Sequence, residues 1–181
     1  MKVRASTRNL YTFGLQRLVL AEDQVAARLE SLIVASSSHR VEAHLKLIRN
    51  ETNLHLARTL QMCREVDVDA RDSNESLERL VRAEVDCYLD AESFDPMSES
   101  GAVCASIRLQ HYLLHLYSAL GSAARDHGFG RHSLALEVAY EAKQTRLMIL
   151  KAFLEDLEPE TSTKAKSVRR VWPSLLLLLT S

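Results

Sequence analysis

The sequence predicts an all-α fold, an up-and-down four-helix bundle with one extra shorter helix, and three observations carry that expectation. The chain has 181 residues, 46% hydrophobic and 26% charged, with only 5 Gly and 3 Pro, as in long helices joined by short connections. Five segments repeat apolar residues at spacings of three and four, the period of a helix that buries one stripe. Four of these are long and roughly equal, as antiparallel neighbours in a bundle must be. One hydrophobic core is sufficient at this length, so a single domain is expected.

The first helix is expected from Leu10 to about Ala35, with Tyr11, Leu15, Leu18, Val25, Leu29 and Leu32 in phase and Glu22 on the same seam. Ser36, Ser37 and Ser38 break it. The second, from about Val41 to Met62, carries Val41, Leu45, Ile48 and His55 on its stripe, with Glu51 and Thr52 beside it. The Asp-rich stretch from Glu65 to Asn74 has no apolar period and reads as a loop. Ser76 is placed to cap a short third helix that carries Leu77, Leu80, Val81, Glu84 and Tyr88 and stops at Phe94-Asp95-Pro96. The fourth runs from about Ala102 to Asp126 and puts a polar Gln110 in line with Val103, Ile107, Leu114 and Tyr117; Gly128 and Gly130 end it. In the fifth, from about His132 to Leu157, Lys143 stands in the middle of a face made by Leu136, Tyr140, Leu147, Leu150 and Leu154. Residues 1–9 then read as an N-terminal extension, 10–158 as the bundle and 159–181 as a flexible tail.

Several function classes are excluded at this level. A formal net charge of -1, with no basic face, removes the electrostatic basis of nucleic-acid binding. Leu175 to Leu179 form an apolar run far shorter than the roughly 20 residues that cross a bilayer, so no membrane association is expected. Cys63, Cys87 and Cys104 are widely spaced and odd in number, which fits reduced thiols and a cytoplasmic location. Asp67, Asp69 and Glu78 fall at positions one, three and twelve of a calcium loop, but Arg71 and Asp72 occupy the fifth and the sixth, where the turn needs Gly, so an EF-hand is rejected. No nucleophile and base are arranged for catalysis, and no catalytic residue is assigned.

The first helix holds Leu10-Tyr11 and Leu20-Ala21-Glu22, and the second holds Glu51-Thr52 followed by His55 and Arg58. The fourth contains Gln110-His111-Tyr112 and Tyr117, and the fifth Tyr140-Glu141-Ala142-Lys143. From Asn9 to Leu157 these segments, in this order, resemble the ferritin-like YciE/YciF stress-protein family. The resemblance implies a ferritin-like bundle and a role in stress response. It also marks departures: Gln110 and Leu113 stand where acidic residues flank the family's His-Tyr motif, and only Glu141 remains of an acidic run before Lys143.

A di-metal carboxylate bundle needs a Glu from each of two helices and Glu-x-x-His from the other two, because carboxylates neutralise the cations and each imidazole adds a neutral nitrogen. The candidate ligands are Glu22, Glu51, His55, His111 and Glu141, for iron or manganese. No Glu-x-x-His is intact, since Asn50 and Asn53 occupy the positions that would complete one around Glu51-Thr52. Glu51 and His55 lie four apart and still share a face. A buried Glu22 needs a metal, a cation or hydrogen bonds, and Lys143 is a candidate for the cation. Two functions follow: a structural or interaction protein with a degenerate di-metal site and no bound metal, or a metal-binding redox or storage protein with a rearranged one. Homodimerisation is expected through an outer stripe of Leu77, Leu80 and Val81 on the third helix. The sequence names no other protein partner.

Overall fold

Helix termini are set by side-chain and backbone caps. Ser38 starts one helix by accepting a hydrogen bond from the Val41 amide, and Ser98 starts another by accepting from the Gly101 amide at 3.0 Å. Asp67 at φ 58° and Gly128 at φ 80° reverse the chain after two others, where the amides of Val68 and Phe129 reach back to the carbonyls of Cys63 and Ala124. The computed structural model describes residues 2–70, 75–89 and 98–157, with side chains described from Leu10 onward. These form α1 (Lys2–Ala35), α2 (His39–Glu65), α3 (Glu75–Leu89), α4 (Glu99–Asp126) and α5 (Gly130–Leu157). No strand occurs among the described residues.

The architecture is an up-and-down bundle of four long helices with α3 laid against it. α1 pairs with α2 and α4 with α5, the two hairpins join through α1 and α4, and α3 packs over both of these. Tyr11, Leu15, Leu18, Val25 and Leu29 of α1 are buried against Val41, Leu45, Ile48, Leu109, Leu113, Leu136 and Leu150 of the other long helices. Burying a Leu or Val side chain contributes roughly 1.5–3 kcal/mol, so the stripes read from the sequence hold the bundle together. An ionic clamp fixes α3: Glu84 accepts from Arg17 of α1 at 2.6 Å and from the Tyr112 hydroxyl of α4 at 2.8 Å, and Arg28 of α1 pairs with Asp86.

Three details differ from expectation. α1 begins at Lys2, eight residues before Leu10, so residues 2–9 continue the helix. α3 begins at Glu75, which puts Ser76 inside its first turn. Leu77 and Val81 are buried against the bundle and only Leu80 stays outside, because α3 turns its apolar face inward; they form no outer stripe. The stop at Phe94-Asp95-Pro96 and the tail from 159 to 181 lie outside the described residues. No described helix is long and apolar enough to cross a membrane.

Candidate functional site

Polar side chains meet in the middle of the bundle because each replaces an apolar residue in a stripe that otherwise points inward. α1 contributes Glu22, α2 contributes Thr52, His55 and Thr59, α4 contributes Gln110 and Tyr117, and α5 contributes Lys143, all buried. The Tyr117 hydroxyl donates to Glu22 Oε1. Lys143 Nζ donates to Gln110 Oε1 at 3.4 Å and stands 5.7 Å from the centre of the Tyr117 ring. The His55 ring meets Tyr117 edge-on, with centroids 6.0 Å apart. Beside this group Arg146 of α5 donates to Glu51 Oε2 at 3.0 Å, and His55 Nε2 lies 3.9 Å from Glu51 Oε1.

Burial pushes the Glu22 carboxyl up to about 7, against the opposing pull of Tyr117, Lys143 and Thr59. It also pushes the Lys143 ammonium down to about 8, although Glu22 and Glu51 favour its charge. The Tyr117 hydroxyl is held far above its ordinary value by burial and by Glu22, so it is a donor throughout the physiological range. Within this layer Glu22 Oε2, Glu51 Oε1, Thr52 Oγ1, both His55 ring nitrogens and Gln110 Nε2 are buried without a hydrogen-bond partner among the described residues. Leaving buried polar atoms unsatisfied is costly, on the order of 1–3 kcal/mol each.

The five predicted ligands are not all brought together. Glu22, Glu51 and His55 border the central layer, His111 lines an outward groove between α4 and α5 with His115, Tyr140 and Met148, and Glu141 is exposed. Among the described residues no group of three or more His, Cys, Asp or Glu side chains converges as a metal site requires. Asn50 and Asn53 both face outward, so they do not hold the missing ligand positions. The inward phase of α2 is Ile48, Thr52, His55 and Thr59, and the pair three apart that faces the core is Thr52 and His55. On α5 the corresponding pair is Lys143 and Arg146. The sequence reading missed Arg146, which stands three residues after Lys143 and four before Leu150 and so borders the same face; its contact with Glu51 is visible only in the fold.

A second cluster lies at one end of the bundle. Tyr11 and His132 Nδ1 share a hydrogen bond of 2.8 Å, His132 Nε2 and Glu65 share another of 2.8 Å, and Tyr11 stacks on Phe129. It ties the third turn of α1 to the end of α2 and the start of α5.

Two solved structures share this fold. The E. coli stress protein YciF is 17% identical with a TM-score of 0.68, the alignment covering 83% of this chain and 95% of that one. YcfI of Rhodopseudomonas palustris is 19% identical with a TM-score of 0.65, covering 80% and 92%. Likeness at such identity concerns the fold. No curated protein gives a significant match. Residues 6–169 match the family described as a domain of unknown function, DUF892. The match spans most of the chain and YciF shares the fold, so the chain belongs to this YciE/YciF-type family.

Proposed function

We propose that this chain is a family member whose central di-metal site has become a metal-free polar core, and that it serves a structural or interaction role in stress response. The observation that supports this reading is the pair of cations, Lys143 and Arg146, on the inward positions where a fourth helix would present Glu-x-x-His. Of the four carboxylates that such a centre needs at its inward positions, Glu22 remains; Thr52, Gln110 and Lys143 stand at the others. Glu51 is beside them but is already held by Arg146.

The donor set therefore does not fit a di-metal centre. Two cations, Lys143 and Arg146, already stand against two acids, Glu22 and Glu51, with Arg146 bonded to Glu51 and Lys143 acting on Glu22 through space. A divalent ion added there would carry uncompensated charge in a buried layer, which costs several kcal/mol per ion. The role in stress response is supported by the shared fold with the E. coli stress protein YciF.

Metal analysis tests the reading. After incubation of the purified protein with ferrous iron or manganese and removal of free ions, the expected content is far below one ion per chain and the same in Glu22→Ala. One or two ions per chain, lost in a Glu22→Ala and Glu51→Ala double variant, would overturn it.

A further inference from the structure

A histidine pair on α4 is used by neither polar cluster. His111 and His115 are four residues apart on one helix, so their rings stand on one face. Both line the outward groove between α4 and α5, where buried Leu114 and Leu147 form the floor and Met148 of α5 stands on the opposite wall. α4 and α5 are the most extensively packed pair of helices, so the core beneath holds the two walls in register.

The two imidazoles are set up as neutral nitrogen donors. His115 Nδ1 lies 2.8 Å from the His111 carbonyl oxygen; a carbonyl only accepts, so Nδ1 carries the proton and donates. In the neutral ring the lone pair is then on Nε2, at the outer end of the side chain. A bond of this kind, from one ring nitrogen to a backbone carbonyl, fixes the tautomer and orientation of metal-ligating histidines. His111 is half-buried, and burial, Lys151 and His115 hold its imidazole below the ordinary value. Of the other polar groups in the groove, Gln144 donates to the Tyr140 hydroxyl at 2.9 Å. The strongest metal donors that remain are two imidazole nitrogens and the Met148 thioether.

Charge and softness select the ion. No carboxylate lines the groove among the described residues, and Lys151, three residues after Met148, acts on His111 through space. Neutral ligands leave the double charge of a zinc, nickel or ferrous ion uncompensated, and a nearby ammonium opposes it further; a monovalent ion meets half of that repulsion. A thioether beside imidazoles is a soft donor set, which suits cuprous copper and not the hard ions that carboxylates hold.

We propose that His111, His115 and Met148 form a site for one cuprous ion in the α4/α5 groove, held by three neutral ligands. The site shares no side chain with the central layer, so it stands apart from the metal-free reading, which concerns iron and manganese at Glu22 and Glu51.

Competition for cuprous ion against bicinchoninate, with ascorbate and without oxygen, tests it on the full chain. Thiols are the rival ligands, so Cys87→Ser, which removes the exposed one, is the reference protein. It is expected to bind one cuprous ion per chain. On that background His111→Ala, His115→Ala and Met148→Leu, all on the outer side of their helices, are each expected to weaken binding at least about tenfold, the smallest loss usual for removing even a hydrogen-bond partner of a metal ligand. Glu22→Ala is expected to bind as the reference does. Absence of binding in Cys87→Ser overturns the proposal, and so does an affinity that all three groove variants leave unchanged. Copper lost in Glu22→Ala but kept in His115→Ala would place the ion in the central layer and overturn both readings. Uptake of iron or manganese with the groove variants behaving as expected would remove the metal-free reading alone.

Discussion

Glu22 and Lys143 decide how the core responds to pH. The folded protein holds the Glu22 proton up to about pH 7, against 4.5 for a free carboxyl, so the folded state binds more protons in that window. Stability contributed by this group therefore falls as pH rises from 4.5 to about 7, by something on the order of 3 kcal/mol. Lys143 works in the other direction: it loses its proton near 8 when folded and near 10.5 when unfolded, so its contribution rises over that higher window. Lys143→Met removes the rise and takes away a cation that favours ionised Glu22, which carries the fall beyond pH 7. Urea unfolding from pH 7 to 10 should thus show the wild type gaining on Lys143→Met as pH increases; parallel profiles would show that burial does not depress the Lys143 ammonium in the folded state. Much of this layer is legible in the sequence, because Glu22, Gln110 and Lys143 are polar residues in strict phase with an apolar stripe. The rest is not. Framing the α2 motif on Glu51 made Asn50 and Asn53 look like lost ligands, when the inward phase belongs to Thr52 and His55. The aim of the Tyr117 hydroxyl and the reach of Arg146 across to α2 depend on neighbours that no local pattern specifies.

Among the elements, α3 depends most on a few contacts. It is 15 residues long, buries Leu77, Val81 and Val85, and is held besides by ion pairs to α1 and, on α4, by the Tyr112 hydroxyl and ring and by Arg108, which donates to the Leu89 carbonyl. A helix of this length is marginal alone in water, so its order comes from the bundle. Glu84 is the centre of the clamp, and Glu84→Ala leaves Arg17 and Tyr112 without it in a half-buried setting. The expected cost is about 1–3 kcal/mol, together with faster amide exchange along α3 but not along α4. Equal acceleration in α4 and α3 would mean that α3 does not open as a separate unit. The long helices were readable because each carries one in-phase stripe over many turns. α3 itself was readable too, but not its facing: fifteen residues show which side is apolar and not whether that side meets the bundle or a partner. The early start of α1 was hidden for a related reason, since the polar, basic residues before Leu10 carry no apolar period.

At the scale of the whole molecule, two hairpins are made into one body by polar contacts at separate levels. The central layer joins α1, α4 and α5 through Glu22, Tyr117, Gln110 and Lys143 and reaches α2 through Arg146 and Glu51, the end cluster joins α1, α2 and α5 through Tyr11, His132 and Glu65, and the clamp joins α3 to α1 and α4. If these act as distinct units, energetic coupling should follow shared partners. Tyr117 and Lys143 both act on Glu22, so losing one changes what the other contributes. Glu84 and Lys143 have no partner in common. A double-mutant cycle of Tyr117→Phe with Lys143→Met is therefore expected to deviate from additivity by more than about 0.5 kcal/mol, while Glu84→Ala with Lys143→Met adds to within about that figure. Removing Tyr117's hydroxyl takes a hydrogen bond from Glu22, and removing Lys143 favours its neutral form, which needs that bond less; the double variant should cost less than the sum. Additivity in the first cycle would show that Glu22 does not join α4 to α5, and strong coupling in the second would show that α3 and the central layer open together as one cooperative unit.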